Sequence, residues 1–382
     1  MKVMTILGTR PEIIRLSRVM AALDQVVDHK LVHTGQNYDY ELIEVFFEEL
    51  GVRRPDHFLN VDTSSLGRSL GEILIKTEEV LLQEKPDAVL VLGDTNSATA
   101  TIMAKRMKIP TYHMEAGNRC FDANVPEEIN RKLVDHTADF NLVYTEHARR
   151  HLISEGLPHR FIYLTGSPMR EVLEHSLDRI RESDVLERLG LEAGRFFIVS
   201  VHREENVDSR DNLQEVVAAL QALHDEYGFP VVVSTHPRTR NRLEKLGLAD
   251  DSEAIRFLKP FGFFDYNHLQ MAAFCAISDS GTISEESSIL DFPAVTLRRS
   301  IERPEALDAG SIALTGLDRD VLIDGVRIAT ASRETFSGVA REVPEEYQVR
   351  NTSERVVRLI TGTAKLTSRW QNMDSFNRYD WL

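Results

Sequence analysis

Short apolar runs alternate with longer segments of helical periodicity along most of the chain. The run VMTIL at 3–7 is apolar and partly β-branched, which is typical of a strand buried in a parallel sheet. The segment IIRLSRVMAAL at 13–23 instead has the apolar spacing of an amphipathic helix. Strands that alternate with helices in this way predict an α/β fold with parallel sheets and right-handed crossovers.

The alternation occurs in two series, which a charged helical stretch separates. The first series predicts strands at 3–7, 29–35, 87–94, 109–116, 140–146 and 161–167. The second series predicts strands at 196–203, 229–236, 254–260, 275–281, 292–298 and 311–316. We therefore expect two Rossmann-like domains, residues 1–170 and 171–362, that face each other across a cleft. The tail at 363–382 carries both Trp residues, so we expect a final helix that crosses back and packs on the first domain.

Composition and short motifs narrow the kind of protein. The formal net charge of −15 disfavours a nucleic-acid partner, and an anionic ligand would need local Arg, His and helix N-termini. The two cysteines form no CxxC motif, so we expect no disulfide framework and no zinc site. We also expect no other metal and no cofactor. Neither a signal peptide nor a membrane-length apolar run is visible, which predicts a cytoplasmic protein. GTRP follows the first strand in place of GxGxxG, which argues against a dinucleotide-binding dehydrogenase.

Polar side chains of the first domain follow its strands. Arg10, Asp94 and Glu115 come directly after apolar strands, and Glu127 begins a helix. Ligands of open α/β sheets bind at the carboxyl ends of the strands, so we expect these side chains to meet a ligand. The alternative for Asp94 is a role as the N-cap of the following helix. The alternative for Glu127 is a capping box with Asn124, three residues earlier.

The second domain offers cations and a small-residue turn at equivalent places. His202 and Arg203 follow its first strand, and the turn SGT at 280–282 precedes a helix whose free N–H groups favour phosphate. Arg303 lies between two glutamates. Two alternatives stay open. In one, Thr282 and Glu285 form a capping box at the start of the helix. In the other, His202 is only a polar side chain whose hydrogen bonds are satisfied within the protein. Together the domains predict a nucleotide diphosphate ligand and an enzyme acting on it, and they leave the reaction unnamed.

Seven motifs occur in the order of the non-hydrolysing UDP-N-acetylglucosamine 2-epimerase family. They are GTRPE at 8–12, GDT at 93–95, MEAG at 114–117, PEE at 126–128, HREEN at 202–206, SDSG with SEE at 278–286, and ERPE at 302–305. The chain resembles this family over essentially its whole length. The resemblance implies the two-domain glycosyltransferase-B fold, a UDP-linked N-acetylhexosamine as substrate and a homodimer.

The resemblance also implies a division of roles. Family members are thought to invert C2 by eliminating UDP and adding it back through a glycal intermediate. This makes Asp94, Glu115 and Glu127 the acid–base carboxylates, and it places His202 beside the leaving group. The implied substrate-binding and UDP-binding residues are Arg10, Arg15, Arg203, His236, Tyr266, Ser280, Gly281, Thr282, Glu286 and Arg303.

Longer strings point to one branch of the family. HTGQNYDY at 33–40 and SDSGTISEESSIL at 278–290 look closest to enzymes that form UDP-N-acetyl-L-fucosamine for capsule or O-antigen polysaccharide. In the same resemblance Glu286 binds the ribose hydroxyls and Tyr266 lies against the uracil. Arg15 stands where UDP-N-acetylglucosamine enzymes usually have lysine, and because arginine stays charged we expect electrostatic support from it.

Several functions stay open beside this leading interpretation. The nearest alternative is a UDP-N-acetylglucosamine 2-epimerase that forms UDP-N-acetylmannosamine, and a hydrolysing epimerase is another. A glycosyltransferase of the same fold is disfavoured by the three carboxylates, and the non-enzyme alternative is a sugar-nucleotide-binding regulator. Asn37 and Tyr38 replace the His-Arg of some relatives in a region of their activator site, which leaves activation by a second UDP-sugar open.

Overall fold

The computed structural model describes residues 1–35, 40–248, 252–335 and 343–370. The chain forms two compact units: unit 1 comprises Met1–Val172 and Gln348–Leu382, and unit 2 comprises Leu173–Tyr347. These units differ from the domains drawn from the sequence chiefly at residues 348–362, which belong to unit 1. No helix within the described ranges is long and apolar enough to cross a membrane.

Strands and helices alternate as the sequence predicts. The strands are β1 (Lys2–Leu7), β2 (Asp28–His33), β3 (His57–Phe58), β4 (Ala88–Leu92), β5 (Thr111–Met114), β6 (Phe140–Val143), β7 (Ile162–Leu164), β8 (Phe197–Ser200), β9 (Val231–Ser234), β10 (Ile255–Leu258), β11 (Cys275–Ser278), β12 (Ala294–Thr296) and β13 (Ala313–Leu314). The helices are α1 (Arg10–Val26), α2 (Tyr40–Glu49), α3 (Leu66–Glu84), α4 (Thr101–Arg106), α5 (Pro126–Thr137), α6 (Glu146–Ser154), α7 (Met169–Arg181), α8 (Val185–Leu189), α9 (Glu204–Val207), α10 (Arg210–Tyr227), α11 (Pro237–Leu246), α12 (Phe263–Ala272), α13 (Ile283–Leu290), α14 (Pro304–Asp308), α15 (Arg319–Thr335), α16 (Thr352–Thr363) and α17 (Thr367–Trp370).

The sheet of unit 1 has the strand order β3-β2-β1-β4-β5-β6-β7. All its pairings are parallel, and β1 pairs with both β2 and β4, so the winding direction reverses between β1 and β4. The loops that leave the carboxyl ends of β1 and β4 therefore part to opposite faces and open a crevice. This geometry places the loops after β1, β4 and β5 at one edge of the sheet.

The sheet of unit 2 repeats this design with the order β10-β9-β8-β11-β12-β13. Its pairings are also parallel, and the reversal lies between β8 and β11. Apolar strand residues such as Val199, Val233 and Ile277 pack beneath α10 and α15 in one continuous core. The predicted pair of parallel-sheet α/β domains is confirmed.

Two helical segments are interrupted. The segment between β4 and β5 starts as a 3₁₀ turn, Asn96–Ala100, before α4. The Thr99 and Thr101 hydroxyls bond the carbonyl oxygens three residues earlier, and this competes with the α-helical pattern. The long charged helix expected after Met169 stops at Arg181 and resumes as α8.

The C-terminal segment contributes to the core of unit 1. Helix α16 packs along α1, and the Thr363 hydroxyl lies 2.7 Å from the Tyr112 hydroxyl of β5. The Trp370 ring lies edge-on to Phe140, with 6.3 Å between ring centres, and the Arg160 guanidinium covers its face at 4.6 Å. The second tryptophan, Trp381, lies outside the described residues.

Candidate active site

Glu115 is held in an unusual backbone conformation at the carboxyl end of β5. Its φ of 64° is in the left-handed region, which is costly for a residue with a side chain and is concentrated at functional sites. Arg15 of α1 forms an ion pair with its carboxylate, and Asn118 Nδ2 donates to it at 3.3 Å. The Glu115 side chain is 11% exposed, so a buried arginine orients an acid that still reaches the surface of the sheet edge.

Asp94 follows β4 and is held in a similar way. Arg131 of α5 presents Nε and Nη2 to Asp94 Oδ2 at 2.9 and 2.7 Å, and the Arg131 side chain is buried. Thr95 is the N-cap of the following 3₁₀ turn, so the capping alternative for Asp94 is wrong. The Asp94 side chain is 27% exposed and thus available to a ligand.

Glu128 completes the support of Asp94 from below. Its Oε2 accepts from Arg131 Nη1 at 2.9 Å and from the Cys120 backbone N–H at 3.1 Å. Burial would raise the pKa of Glu128, but these hydrogen bonds outweigh it, so the pKa lies below its usual value. Glu128 is therefore a structural carboxylate that orients Arg131.

Glu127, one residue earlier on α5, differs from Glu128 in its contacts. Within the described ranges its half-buried side chain forms no hydrogen bond or ion pair. Val125 is the N-cap of α5, and Asn124 donates to Asp122 Oδ1 at 2.9 Å, so the capping-box alternative is wrong. Glu127 is thus a carboxylate left for a ligand, on the same helix that holds Asp94.

Glu12, in the first turn of α1, is a further carboxyl group of this edge. The Gly8 N–H donates to it at 3.0 Å, the Thr9 hydroxyl at 2.7 Å, and the Ser97 hydroxyl bonds its other oxygen. Burial raises the pKa of Glu12 to about 7, although these hydrogen bonds act in the opposite direction. Arg10, which begins α1, lies over the Phe46 ring with 5.6 Å to the ring centre.

In unit 2, a buried aspartate organises the loop after β8. Asp279 follows β11 and accepts from the backbone N–H groups of His202 and Arg203 at 3.1 and 3.0 Å and from Asn206 Nδ2 at 3.0 Å. Its Oδ1 also lies 3.1 Å from His202 Nδ1, while the His202 side chain is 47% exposed. Burial would raise the pKa of Asp279, but the charge of His202 and these hydrogen bonds lower it to about 2.

The Asp279–His202 pair leaves His202 Nε2 as the ring nitrogen available to a ligand. Asp279 lies within the predicted motif at 278–286 but was not among the predicted site residues. The signal that could have found it is the one that identified Glu115, a carboxylate directly after an apolar strand.

The turn between β11 and α13 is small and closely packed. Ser280 Oγ lies 3.0 Å from Thr282 Oγ1, and Thr282 is the N-cap of α13 without a side-chain capping bond. A Cβ atom at Gly281 would lie 2.8 Å from Glu302 Oε1, so a larger residue there would displace the Glu302 carboxylate. Glu285 pairs with an arginine instead of capping α13, and the predicted capping box is therefore wrong.

The arginines near this turn act from beneath it. Arg303 is buried; its Nε donates to the Gly281 carbonyl oxygen at 2.9 Å, and its Nη2 lies 3.1 Å from Glu285 Oε2. Arg203 Nη2 lies 3.1 Å from Glu302 Oε1. Both arginines thus shape the turn that carries Ser280 and Thr282.

The remaining predicted nucleotide-binding residues of unit 2 lie on neighbouring elements. The pKa of Tyr266 is raised, chiefly by burial and then by the charge of Glu286. Hydrogen bonds with Ser200 and Ser278 act in the opposite direction. Glu286 is buried on α13 and accepts from Gln270 Nε2 at 2.9 Å. His236 is the N-cap of α11, where its Nδ1 accepts from the Arg238 N–H at 3.3 Å.

Two expectations from the sequence concern an activator and a metal. Asn37 and Tyr38, on which the activator question depends, lie outside the described residues. Among the residues that are described, no three His, Cys, Asp or Glu side chains cluster in a way that could hold a metal ion.

Residues 21–361 match the family model described as UDP-N-acetylglucosamine 2-epimerase. A solved UDP-N-acetylglucosamine 2-epimerase from Rickettsia bellii is 46% identical, with a TM-score of 0.90 over 97% of this chain and 98% of that one. The Methanocaldococcus jannaschii UDP-GlcNAc 2-epimerase in complex with UDP-GlcNAc and UDP is 35% identical, with a TM-score of 0.88 over 95% and 100% of the two chains. A Pseudomonas aeruginosa UDP-2,3-diacetamido-2,3-dideoxy-D-glucuronate 2-epimerase is 34% identical over 86% of this chain and 92% of its own length.

The fold and the site define an isomerase that acts on UDP-sugars, with the glycosyltransferase-B type of two-domain fold. The chain belongs to the UDP-N-acetylglucosamine 2-epimerase family. The predicted family and the predicted enzyme class, a UDP-sugar 2-epimerase, are thereby confirmed.

Proposed function

We propose that this enzyme inverts C2 of a UDP-linked 2-acetamido sugar by eliminating UDP and adding it back. The observation that carries the proposal is the carboxylate set of unit 1. Asp94 and Glu115 are each fixed by a buried arginine, and Glu127 has no partner among the residues described. Fixed and free carboxylates at one sheet edge suit a reaction that removes a proton and returns it to the opposite face.

The order of bond changes follows from the acidity of C2–H. That hydrogen has no adjacent carbonyl group, so its direct removal would be slow. When the C1–O bond breaks, its electron pair leaves with the diphosphate, and C1 becomes cation-like. A carboxylate then takes the C2 proton, and the remaining pair forms the C1=C2 double bond of a glycal. Proton return to the other face of C2 and attack of the diphosphate oxygen on C1 give the epimer.

Unit 2 supplies the groups that this mechanism needs for the departing UDP. His202 is half exposed and is oriented by Asp279, so it can stabilise charge that develops on the diphosphate. The turn 280–282 offers two hydroxyls at the start of α13, where free N–H groups favour phosphate. In this proposal unit 2 binds UDP, while unit 1 transfers the proton.

For the sugar, we propose the 6-deoxy-L branch, with UDP-N-acetyl-L-fucosamine as product. The strings at 33–40 and 278–290 support this branch, as does Arg15 in place of lysine. Relatives act on more than one sugar, since one is named for UDP-GlcNAc and another for a diacetamido-glucuronate. UDP-GlcNAc is therefore the competing substrate.

Two measurements test these proposals separately. In D2O, the product should carry deuterium at C2, as NMR can read; product with protium alone at C2 would refute elimination with solvent exchange. In a side-by-side assay, UDP-2-acetamido-2,6-dideoxy-L-talose should turn over faster than UDP-GlcNAc. The opposite ranking would refute the branch and leave the family unaffected.

We also propose that the enzyme is a homodimer, as its family resemblance implies. Light scattering coupled to size-exclusion chromatography should give twice the chain mass of 43.4 kDa. A monomer mass at enzyme concentrations that support full activity would refute this state.

A further inference from the structure

His113 is a buried histidine of β5 whose ring nitrogens both have partners in unit 1. Its Nδ1 lies 2.9 Å from Asp135 Oδ1 of α5, and its Nε2 lies 2.8 Å from the carbonyl oxygen of Gly93. The His113 and Asp135 side chains are both buried. The ring therefore bridges a helix beneath the sheet and the loop that follows β4.

The partners decide which ring nitrogens carry hydrogen. A backbone carbonyl oxygen only accepts, so Nε2 must donate to Gly93. Asp135 already receives Arg119 Nη1 at 2.7 Å and the Gly117 N–H at 3.2 Å, a set of donors that suits a carboxylate. Nδ1 must then donate as well, and an imidazole with two N–H groups is a cation.

The surrounding charges match this cation. Arg119 also donates through Nε and Nη2 to both oxygens of Glu155 at 2.7 Å. Glu155 is 24% exposed and also lies 3.0 Å from His136 Nε2, whereas Asp135 and Arg119 are fully buried. With a neutral His113 ring, the buried Asp135 would share the charge of Arg119 with Glu155, which is costly.

The same ring connects the loops that carry two site carboxylates. Gly93 immediately precedes Asp94, and Glu115 lies two residues beyond His113 in the chain. The Gly93 N–H donates to the Met114 carbonyl oxygen at 3.0 Å, and a Cβ atom at Gly93 would lie 3.6 Å from Glu115 Oε2. A displacement of Gly93 would therefore change the relation between Asp94 and Glu115.

We propose that His113 is a positioning residue for epimerisation, acting as a buried imidazolium that fixes the Asp94 loop against the Glu115 loop. Through Nε2 it holds the Gly93 carbonyl, and through Asp135 it holds the Gly117 amide. Its role in catalysis rests on the proposed function, whereas the charge of the ring rests on the hydrogen bonds alone.

His29 provides a matched control in the same unit. It is also buried, and its Nδ1 lies 2.7 Å from an aspartate, Asp24. Its Nε2, however, lies 2.8 Å from the Thr5 hydroxyl, which can donate, so a neutral ring satisfies both contacts. His29 is near the amino end of β2, away from the carboxyl edge that carries the site.

Neutron diffraction from crystals of the unmodified enzyme tests the charge directly. We expect deuterium on both nitrogens of His113; a single deuteron would overturn the proposal. This measurement needs neither activity nor a variant, so it determines the protonation state of the His113 ring even if His113→Gln fails to fold. It also remains decisive if the unmodified enzyme forms no C2 epimer, a result that would refute the proposed function instead.

Kinetics test the positioning role. His113→Gln should lower kcat by about a hundredfold with KM for the UDP-sugar unchanged, since small displacements of reacting groups cost rate more than binding. His29→Gln should lose comparable thermal stability and keep its kcat. If folded His113→Gln retains wild-type kcat, or if both variants lose kcat equally, the positioning role is overturned.

Discussion

The carboxyl edges of the two sheets share a topology and have opposite arrangements of charge. In unit 1 the acids Asp94 and Glu115 reach the surface, and the buried arginines Arg131 and Arg15 hold them from beneath. In unit 2 the acid Asp279 is buried, and the side chain that it holds at the surface is His202. The same strand order thus presents acids at one edge and a histidine at the other, according to which sign of charge lies below.

The difference shows why the strand-end rule alone does not assign a role. In both units a carboxylate follows a central strand, and in both it is heavily hydrogen-bonded. What differs is the exposure, 27% for Asp94 and 0% for Asp279, so the Asp94 side chain is accessible whereas that of Asp279 contacts only protein groups. The following predictions test the comparison from its largest expected effect to its smallest.

The sharpest contrast within unit 1 is between Glu127 and Glu128. Glu127→Gln keeps the shape and removes acid–base function, so kcat should fall by roughly a hundred- to ten-thousand-fold while thermal stability stays unchanged. Glu128→Gln should instead lose stability, because it breaks the buried pair with Arg131. Steady-state kinetics and thermal unfolding of both variants check this. A Glu127→Gln enzyme with normal kcat would remove Glu127 from the proposed chemistry.

Glu12 is a carboxyl group of the same edge of unit 1, and burial is the main cause of its pKa shift. Its pKa is raised from 4.5 to about 7, so its protonated form contributes stability that is fully present below about pH 4.5 and is lost as pH rises through about 7. Glu12→Gln should match the wild type near pH 4 and be more stable by roughly 3 kcal/mol at pH 8. Denaturant unfolding at both pH values measures this.

An exposed glutamate of the same unit provides the control for Glu12. Glu79→Gln on α3 should leave stability unchanged at either pH. Equal stability of Glu12→Gln and the wild type at pH 8 would show that Glu12 titrates near its ordinary range.

Asp279 tests the buried acid of unit 2. Its pKa is depressed from 3.8 to about 2, so its contribution is present above about pH 3.8 and is lost as pH falls through about 2. Asp279→Asn should cost roughly 2 to 3 kcal/mol at neutral pH, with a smaller difference in acid, and it should also lower kcat because His202 loses its orienting partner. Asp225→Asn, at the surface of α10, is the control and should change neither quantity.

Arg15 gives the smallest expected effect. Arg15→Lys keeps a cation beside Glu115 and loses only the forked geometry, so kcat should change by less than about tenfold. Arg15→Met, which removes the charge, should be much slower. A loss with lysine as large as that with methionine would show that the fork itself is required.

The strands were predictable because parallel strands buried on both faces must be continuously apolar. Runs such as AVLVL at 88–92 allow few other structures, and the loops that follow them locate the site. Strand β3 and helix α11 were missed: β3 has two residues, and α11 has a mostly polar sequence, so neither has a clear pattern. Motifs and strand ends together suggested the candidate site residues, and the roles given to those residues stay predictions.

The depth of each side chain was not predictable from local sequence. Glu115 pairs with Arg15 across 100 positions of chain, and Asp279 holds His202 across 77. Capping-box spacing suggested helix caps at Glu127 and Glu285, and neither residue forms the predicted cap. Partners so far apart in sequence are set by the packing of the whole unit, which periodicity does not encode.

The return of the chain to unit 1 at Gln348 has a consequence for protein synthesis. Helix α16 packs on α1, and the Ser353 hydroxyl and N–H both donate to Glu171 at 2.8 Å. The first unit to leave the ribosome is therefore the last to be completed, since it waits for residues made after all of unit 2. Stop codons or proteolytic nicks near residue 347 would spare unit 2 and leave unit 1 with an uncovered helix.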